Sequence, residues 1–278
     1  GADALRFYLL QHAGMNQDIR FREDGVKLAG QFCNKLWNAS RFVMMNLTEN
    51  ANEGTELARF VPSLVTPEDT TLSTPDRWIL SRLQRTIAAV TDGISTYNMD
   101  AAMRAIYSFV WDDFCDWYLE LAKPRLRESG EERITTQNVL YHVLETTLRL
   151  LHPMIPFITE EIWQNLTGAQ NATIMRSEFP LVDELWVSDS VEGRMDIVIE
   201  AIRAARNLRA EIGLPPGQRL PGAIVPKNVG AATIFADNQV SVIGLARLTD
   251  LTFMDSAPGG GGAWAGSPIA GGEIFIEI

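Results

Sequence analysis

The sequence predicts a mainly α protein, an antiparallel helical bundle with a small C-terminal α+β appendage. Three observations lead there. Long segments repeat apolar residues at offsets of three, four and seven, the signature of helices with one buried face. The joints between them are short and marked by proline or glycine, which makes neighbouring helices antiparallel. Past about residue 173 the pattern changes to short strand-like runs between glycine- and proline-containing turns.

The elements follow in order. Residues 3–12 read as a helix with Asp3 in its first turn, where an anion suits the helix dipole. Gly14 ends it, and Gln17 to Phe21 alternates as a short extended piece. A long helix then opens near Asp24 and runs to about Thr48, with Val26, Phe32, Cys33, Leu36, Trp37, Val43, Met44 and Leu47 as its buried face. Residues 49–72, with Gly54, Pro62 and Pro67, form a connector. Thr74-Pro75-Asp76 reads as a hydroxyl N-cap, a first-turn proline and an acid, opening a helix that ends near Tyr97. Asp100 caps the next, and Lys123-Pro124 is expected to stop it. Thr135 or Thr136 opens a fourth long helix, and Pro156 a shorter one reaching Leu166. Ile174-Met175 suggests a short strand, and 190–212 one more helix. Strands near 219–225, 248–254 and 273–278 flank a helical piece at 231–246 and a glycine-rich loop, Gly259 to Gly262. The domains expected are therefore 1–25, a bundle at 26–170, and 171–278, where the 190–212 helix completes the bundle ahead of the α+β part.

The composition narrows the function. A chain of 278 residues with 46% hydrophobic content has enough apolar material for a real core. No apolar run approaches the ~18 residues of a membrane span, and the setting expected is cytoplasmic. Gly1 leads straight into a helical pattern, which reads as a piece of something longer. Two distant cysteines, Cys33 and Cys115, on apolar helical positions read as buried thiols in a reducing compartment. A net charge of −11 argues against nonspecific nucleic-acid binding. Residues 1–50 differ, with six cations (Arg6, Arg20, Arg22, Lys27, Lys35, Arg41) against five anions (Asp3, Asp18, Glu23, Asp24, Glu49). An RNA partner would have to be met locally, at specific points.

The place for such contact is the helix near 24–48. Opposite its apolar stripe it carries Asn34, Lys35, Asn38 and Arg41, with Phe42 beside them. Amides, cations and an aromatic suit the reading of single-stranded bases. For Phe42, core packing is an equal reading, and Asn38 could instead bridge helices. Elsewhere the chemistry is thin. Asp112, Asp113, Asp116 and Glu120 cluster, but a di-iron bundle needs Glu-x-x-His motifs that the three histidines do not supply. Pairing with Lys123, Arg125 or Arg127 explains them better. No metal site, phosphate-binding glycine loop or nucleophile elbow is recognisable. Arg203, Arg206 and Arg209 recur every three residues on the 190–212 helix, either to track phosphates or to solvate an edge.

Several stretches resemble class I aminoacyl-tRNA synthetases of the valyl, isoleucyl and leucyl subgroup. Gly1 to Phe7 resembles the helix after the Lys-Met-Ser-Lys-Ser loop, and Asn34 to Phe42 the first anticodon-domain helix. His152-Pro153-Met154-Ile155-Pro156-Phe157 with Thr159 to Trp163 is similar across the subgroup. Asp113 to Glu120 with Ala122-Lys123-Pro124, and Asn207 to Glu211 followed by Pro215-Pro216, resemble the valyl branch, with the isoleucyl branch as alternative.

The resemblance implies a tRNA-binding C-terminal part. Residues 1–25 would be a stem-contact segment after the catalytic core. Arg20 and Arg22 would meet phosphates inside the tRNA L, Lys35 and Arg41 anticodon-loop phosphates, Asn34 and Asn38 base edges, and Phe42 would stack on a base. The partners implied are the anticodon arm of tRNA(Val) and the protein's own catalytic domain, in a monomer. His-x-Gly-His and Lys-Met-Ser-Lys-Ser are absent from the 278 residues, so no catalytic residue, cofactor or metal is expected here, and ATP would bind the catalytic domain. A helical protein-interaction module is the rival from another class.

Overall fold

A computed structural model describes residues 1–13, 21–47, 60–168, 172–215, 217–259 and 263–278. The chain divides into two compact units, Gly1–Val187 and Ser188–Ile278.

The first unit is helical. Helix α1 (Ala2–Gln11) buries Ala4, Phe7 and Tyr8 and packs against α2 (Glu23–Leu47). Two contacts fasten it to the far end of the bundle. Arg6 donates to the carbonyls of Met154 and Pro153 at 2.8 and 3.0 Å. Asp3 accepts from the backbone N–H groups of Phe157 and Ile158, at the N-terminus of α7 (Pro156–Thr167), where a carboxylate complements the helix dipole. The opening segment is thus part of the bundle unit, not a separate piece.

Helix α3 (Thr74–Ser95) begins with a capping box. Its N-cap is Ser73, one residue before the expected Thr74: the Ser73 hydroxyl accepts from the Asp76 N–H, and the Asp76 carboxylate accepts from the Ser73 N–H at 2.9 Å. Helices α4 (Met99–Ser108) and α5 (Leu119–Arg127) join through a π-helical stretch, Phe109–Tyr118, into one rod. Pro124 was expected to stop this helix, yet the last turn continues to Arg127. The reason is tertiary: Arg125 pairs with Asp76, which is 1% exposed, and donates to the Thr71 carbonyl at 2.7 Å. Tyr118 completes this network by donating to Asp76 Oδ1 at 2.7 Å.

Helix α6 (Glu131–Leu151) starts a turn before the expected threonines, after Gly130 in a left-handed conformation at φ 88°. Its inner positions Val139, Leu140, Val143 and Leu144 are fully buried. Ile174–Arg176, expected as a strand, is a 3₁₀ turn instead. Thr173 donates to Glu160 of α7 at 2.7 Å and Ile174 is buried, so this stretch is tied to a helix, and among the described residues no strand pairs with it.

The second unit pairs helices with a four-stranded sheet of order β2-β1-β4-β3. Its members are α8 (Asp189–Glu211), β1 (Leu220–Pro226), α9 (Val229–Asp237), α10 (Gln239–Ala246), β2 (Leu248–Phe253), β3 (Trp264–Ile269) and β4 (Gly272–Glu277). β1 runs parallel to β2 and antiparallel to β4, with Ala223 opposite Phe275. Helix α8 packs on β3, β4, α9 and α10. The unit boundary falls after Val187 where 170 was expected, and α8 belongs with the sheet. Strand β3 was not anticipated, because Gly266 and Pro268 mask its pattern; an edge position tolerates both.

Among the described residues no single helix is long and apolar enough to cross a membrane. Both cysteines are free thiols. Burial first, then Asp3, pushes the Cys33 thiol up to about 11, and burial pushes Cys115 up to about 12. At pH 8 only about one Cys33 thiol in a thousand is the reactive thiolate. Iodoacetamide is therefore expected to label the native chain on the order of 100-fold more slowly than the urea-unfolded chain, as mass spectrometry would measure. Equal rates would mean that these thiols are open to solvent.

Candidate nucleic-acid interface

The site is built around α2. Its inner face consists of Ala29, Phe32, Leu36, Ala39, Ser40, Val43 and Leu47, all buried. The small Ala39 and Ser40 lie inward, Ser40 Oγ donating to the Leu36 carbonyl at 2.8 Å. This sets the buried stripe away from the one expected. Val26, Cys33 and Met44 are half-buried, and Trp37, expected inside, is 38% exposed. The outer strip is therefore Asn34, Trp37, Asn38, Arg41 and Met45, all exposed and spaced three, four, seven and eleven residues from the first.

Phe42 is half-buried on the flank of that strip, with the Lys123 ammonium 5.7 Å from its ring centre. Lys35 has protein partners. Its Nζ lies 2.7 Å from Asp116 Oδ1 and 3.7 Å from the centre of the Trp111 ring. Arg22 is exposed, its backbone N–H donating to the Tyr8 hydroxyl at 3.0 Å. Arg20 lies outside the described residues.

Beside α2 is an open cleft of about 1090 Å³. An aromatic ladder crosses its wall: Phe7 on Phe32 at 4.4 Å, Phe32 on Tyr107 at 5.3 Å, and Tyr107 on Trp111 at 5.5 Å with planes 10° apart. The first two rings are in the core, whereas Tyr107 and Trp111 are half-buried and line the cleft. Arg22 and Arg104 supply cations to the same cleft, with Asp24 as an anion. Burial first, then Asp112 and Asp116, pushes the Tyr107 phenol up, keeping it a neutral donor at physiological pH. Gly25 is needed here, since a Cβ would meet the Tyr8 ring at 2.2 Å. Arg104, Tyr107 and Trp111 escaped the sequence reading because their stretch signals a bundle core, and only the fold turns one edge toward α2.

Stacking planes, amides and cations can hold bases and phosphates, and the clustered acids have structural partners. Arg82 lies 2.8 Å from Asp113, Lys35 holds Asp116, Ser108 donates to Asp112 at 2.9 Å, and Lys123 pairs with Glu120. Of the three cations expected to pair with these acids, Lys123 does so and Arg125 goes to Asp76. Among the described residues no group of three His, Cys, Asp or Glu side chains could hold a metal ion.

The helical bundle falls largely within a known domain family: the family model described as the anticodon-binding domain of tRNA ligase matches residues 76–224. That is more than half of the chain, and the chain belongs to this family. The match runs from α3 into β1 and does not include α2. The valine–tRNA ligase of Syntrophotalea carbinolica is 39% identical over 255 residues, 91% of this chain and 27% of that protein. Those of Clostridium tetani (38% over 279 residues, 100% and 30%) and Carboxydothermus hydrogenoformans (42% over 247 residues, 89% and 27%) are also similar. The chain spans less than a third of the length of these relatives. A solved LeuRS–tRNA–LeuAMS ternary complex from Agrobacterium radiobacter K84 shares the fold, with a TM-score of 0.51 and 24% identity over 68% of this chain and 20% of that one.

Proposed function

We propose that this chain is the tRNA-binding part of a valine–tRNA ligase, and that its first unit receives the anticodon arm of tRNA(Val). The parent enzyme joins valine to its tRNA with ATP in protein biosynthesis; ATP binds a catalytic domain outside this chain, which by itself activates no valine. The chain carries no cofactor or metal of its own and works as part of a cytoplasmic monomer. The observation that carries this reading is the outer strip of α2, where Asn34, Asn38 and Arg41 share one exposed face with Trp37. The valine–tRNA ligase relatives, which match up to the whole chain, support the valyl assignment over the isoleucyl one.

In this arrangement Arg41 contacts a loop phosphate and Asn34 and Asn38 base edges, while Arg20 and Arg22 face phosphates on the inner side of the L. Lys35 works through Trp111, holding the ring rather than gripping a phosphate alone. Phe42 stacks on a base at the margin of the strip. The Phe42→Ala and Arg41→Ala variants are expected to weaken binding of a tRNA(Val) anticodon stem-loop about tenfold each, with circular dichroism unchanged. Arg41→Ala should also flatten the salt dependence of log K by about one unit. Wild-type affinity in both variants would remove the stem-loop from α2. Equal affinity for a tRNA(Ile) stem-loop would remove the valyl assignment.

A further inference from the structure

Lys35 differs from its neighbours on the outer side of α2. Asn34, Asn38 and Arg41 are exposed, whereas the Lys35 ammonium lies between Asp116 Oδ1, at 2.7 Å, and the Trp111 ring, 3.7 Å from its centre. Trp111 and Asp116 are five residues apart. In a regular α-helix that spacing turns two side chains about 140° away from each other. Here both lie in the π-helical stretch Phe109–Tyr118, where each turn takes in an extra residue and positions five apart come nearly over one another. The wide winding brings a ring and a carboxylate onto the same ammonium. Such winding is rare and recurs at functional sites.

The cation and its carboxylate are held unequally. The Lys35 side chain is 22% exposed and that of Asp116 52%. The ammonium is thus seated on the protein, while the carboxylate can turn to water at little cost, because half-exposed ion pairs are weak. Neighbouring acids have other partners: Asp112 accepts from Ser108, and Asp113 lies 2.8 Å from Arg82. The field of Asp116 also reaches the cleft, since after burial and Asp112 it helps to hold the Tyr107 phenol up. An ammonium turns three equivalent donors among its acceptors, so it can change anion without leaving the ring.

We propose that Asp116 is a built-in competitor for RNA: its carboxylate holds on Lys35 the place that a backbone phosphate takes when the anticodon arm binds. The ammonium stays over Trp111 and exchanges one anion for the other, and the released carboxylate turns to water. Asp116 keeps the cation in position when no RNA is bound and weakens the hold on RNA when it is. The exchange rests on the tRNA-binding reading above; the ion pair beside the ring does not.

The test compares the full chain with Asp116→Asn, which keeps the size of the side chain and removes its charge. Binding of the tRNA(Val) anticodon stem-loop at about 50 mM salt is expected to tighten about fivefold, with the salt slope of log K steeper by about one unit. Asp250→Asn, the same charge change in the second unit, should leave both unchanged. In a Lys35→Gln background Asp116→Asn should gain less than about twofold, because the cation it competes for is gone. Circular dichroism should be the same for every variant. Equal or weaker binding by Asp116→Asn overturns the exchange and leaves the stem-loop reading in place. The same gain in the Lys35→Gln background, or from Asp250→Asn, does so too. Loss of the fold in Asp116→Asn would make the pair a structural one and overturn its role as a competitor. If the stem-loop binds neither the wild type nor Asp116→Asn, the tRNA-binding reading itself falls, and the exchange with it.

Discussion

Replacing Asp76 with alanine is expected to destabilise the first unit by about 3–5 kcal/mol, the usual result of leaving one member of a buried ion pair alone. Asp76 accepts from Tyr118, pairs with Arg125 and closes the capping box with Ser73. Its loss therefore strands a half-buried guanidinium, an inward phenol and a helix N-terminus together. These effects share one carboxylate and do not add. For a unit of this size the unfolding midpoint should fall by roughly 10 °C, read by calorimetry. Arg125→Met in the same background should recover much of the loss, because an apolar group needs no counter-charge there. A fall below about 1 kcal/mol would mean that water already reaches Arg125.

The same network has a pH signature. Burial, and then the Asp76 carboxylate, holds the Tyr118 phenol well above its ordinary value of about 10. Between about pH 10 and that raised value the unfolded chain has lost the proton and the folded chain keeps it. Stability from this group is therefore complete below pH 10 and is lost as pH rises. Cys33 and Cys115 act in the same direction, from about 9 towards about 11 and about 12. Tyr118→Phe should remove its share of the alkaline loss while lowering stability at neutral pH.

The second large effect concerns Trp111. Trp111→Ala is expected to weaken binding of the tRNA(Val) anticodon stem-loop by about 1–3 kcal/mol, roughly 5- to 150-fold. The ring ends the stacked ladder at the cleft and lies under Lys35, so its removal deletes a stacking plane and releases the ammonium to Asp116. No phosphate contact is lost, so the salt slope should stay as in the wild type, unlike that of Arg41→Ala. Trp111→Phe should restore part of the affinity. Unchanged affinity in Trp111→Ala, with the helix content intact, would take the cleft out of the interface.

The helices were legible in the sequence because their causes are local. A period of 3.6 residues, first-turn acids and prolines act within a turn or two, and α2, α3 and α8 begin and end within about a residue or two of expectation. Ser73 was within reach, since its three-residue spacing to Asp76 is the capping-box pattern; Thr74 obscured it by offering the same hydroxyl. Strand β3 was not legible, because its residues gain a strand's pattern only when set against β4.

The candidate site divides in the same way. That α2 has an amide-rich, cationic outer face, that the early residues lack the acidity of the rest, and that the acid cluster lacks histidine partners were all determined by the sequence. Which aromatic reaches that face was decided by packing. Ala39 and Ser40 fit inward where larger side chains would not, so Trp37 lies outside and Phe42 at the margin. Lys35 and Asp116 are 81 residues apart, and Asp76 and Arg125 are 49. Periodicity cannot see such pairs, because a lone charge has the same helical phase whether it meets solvent, a phosphate or a carboxylate. Only the fold brings the partner within 3 Å and settles which it is.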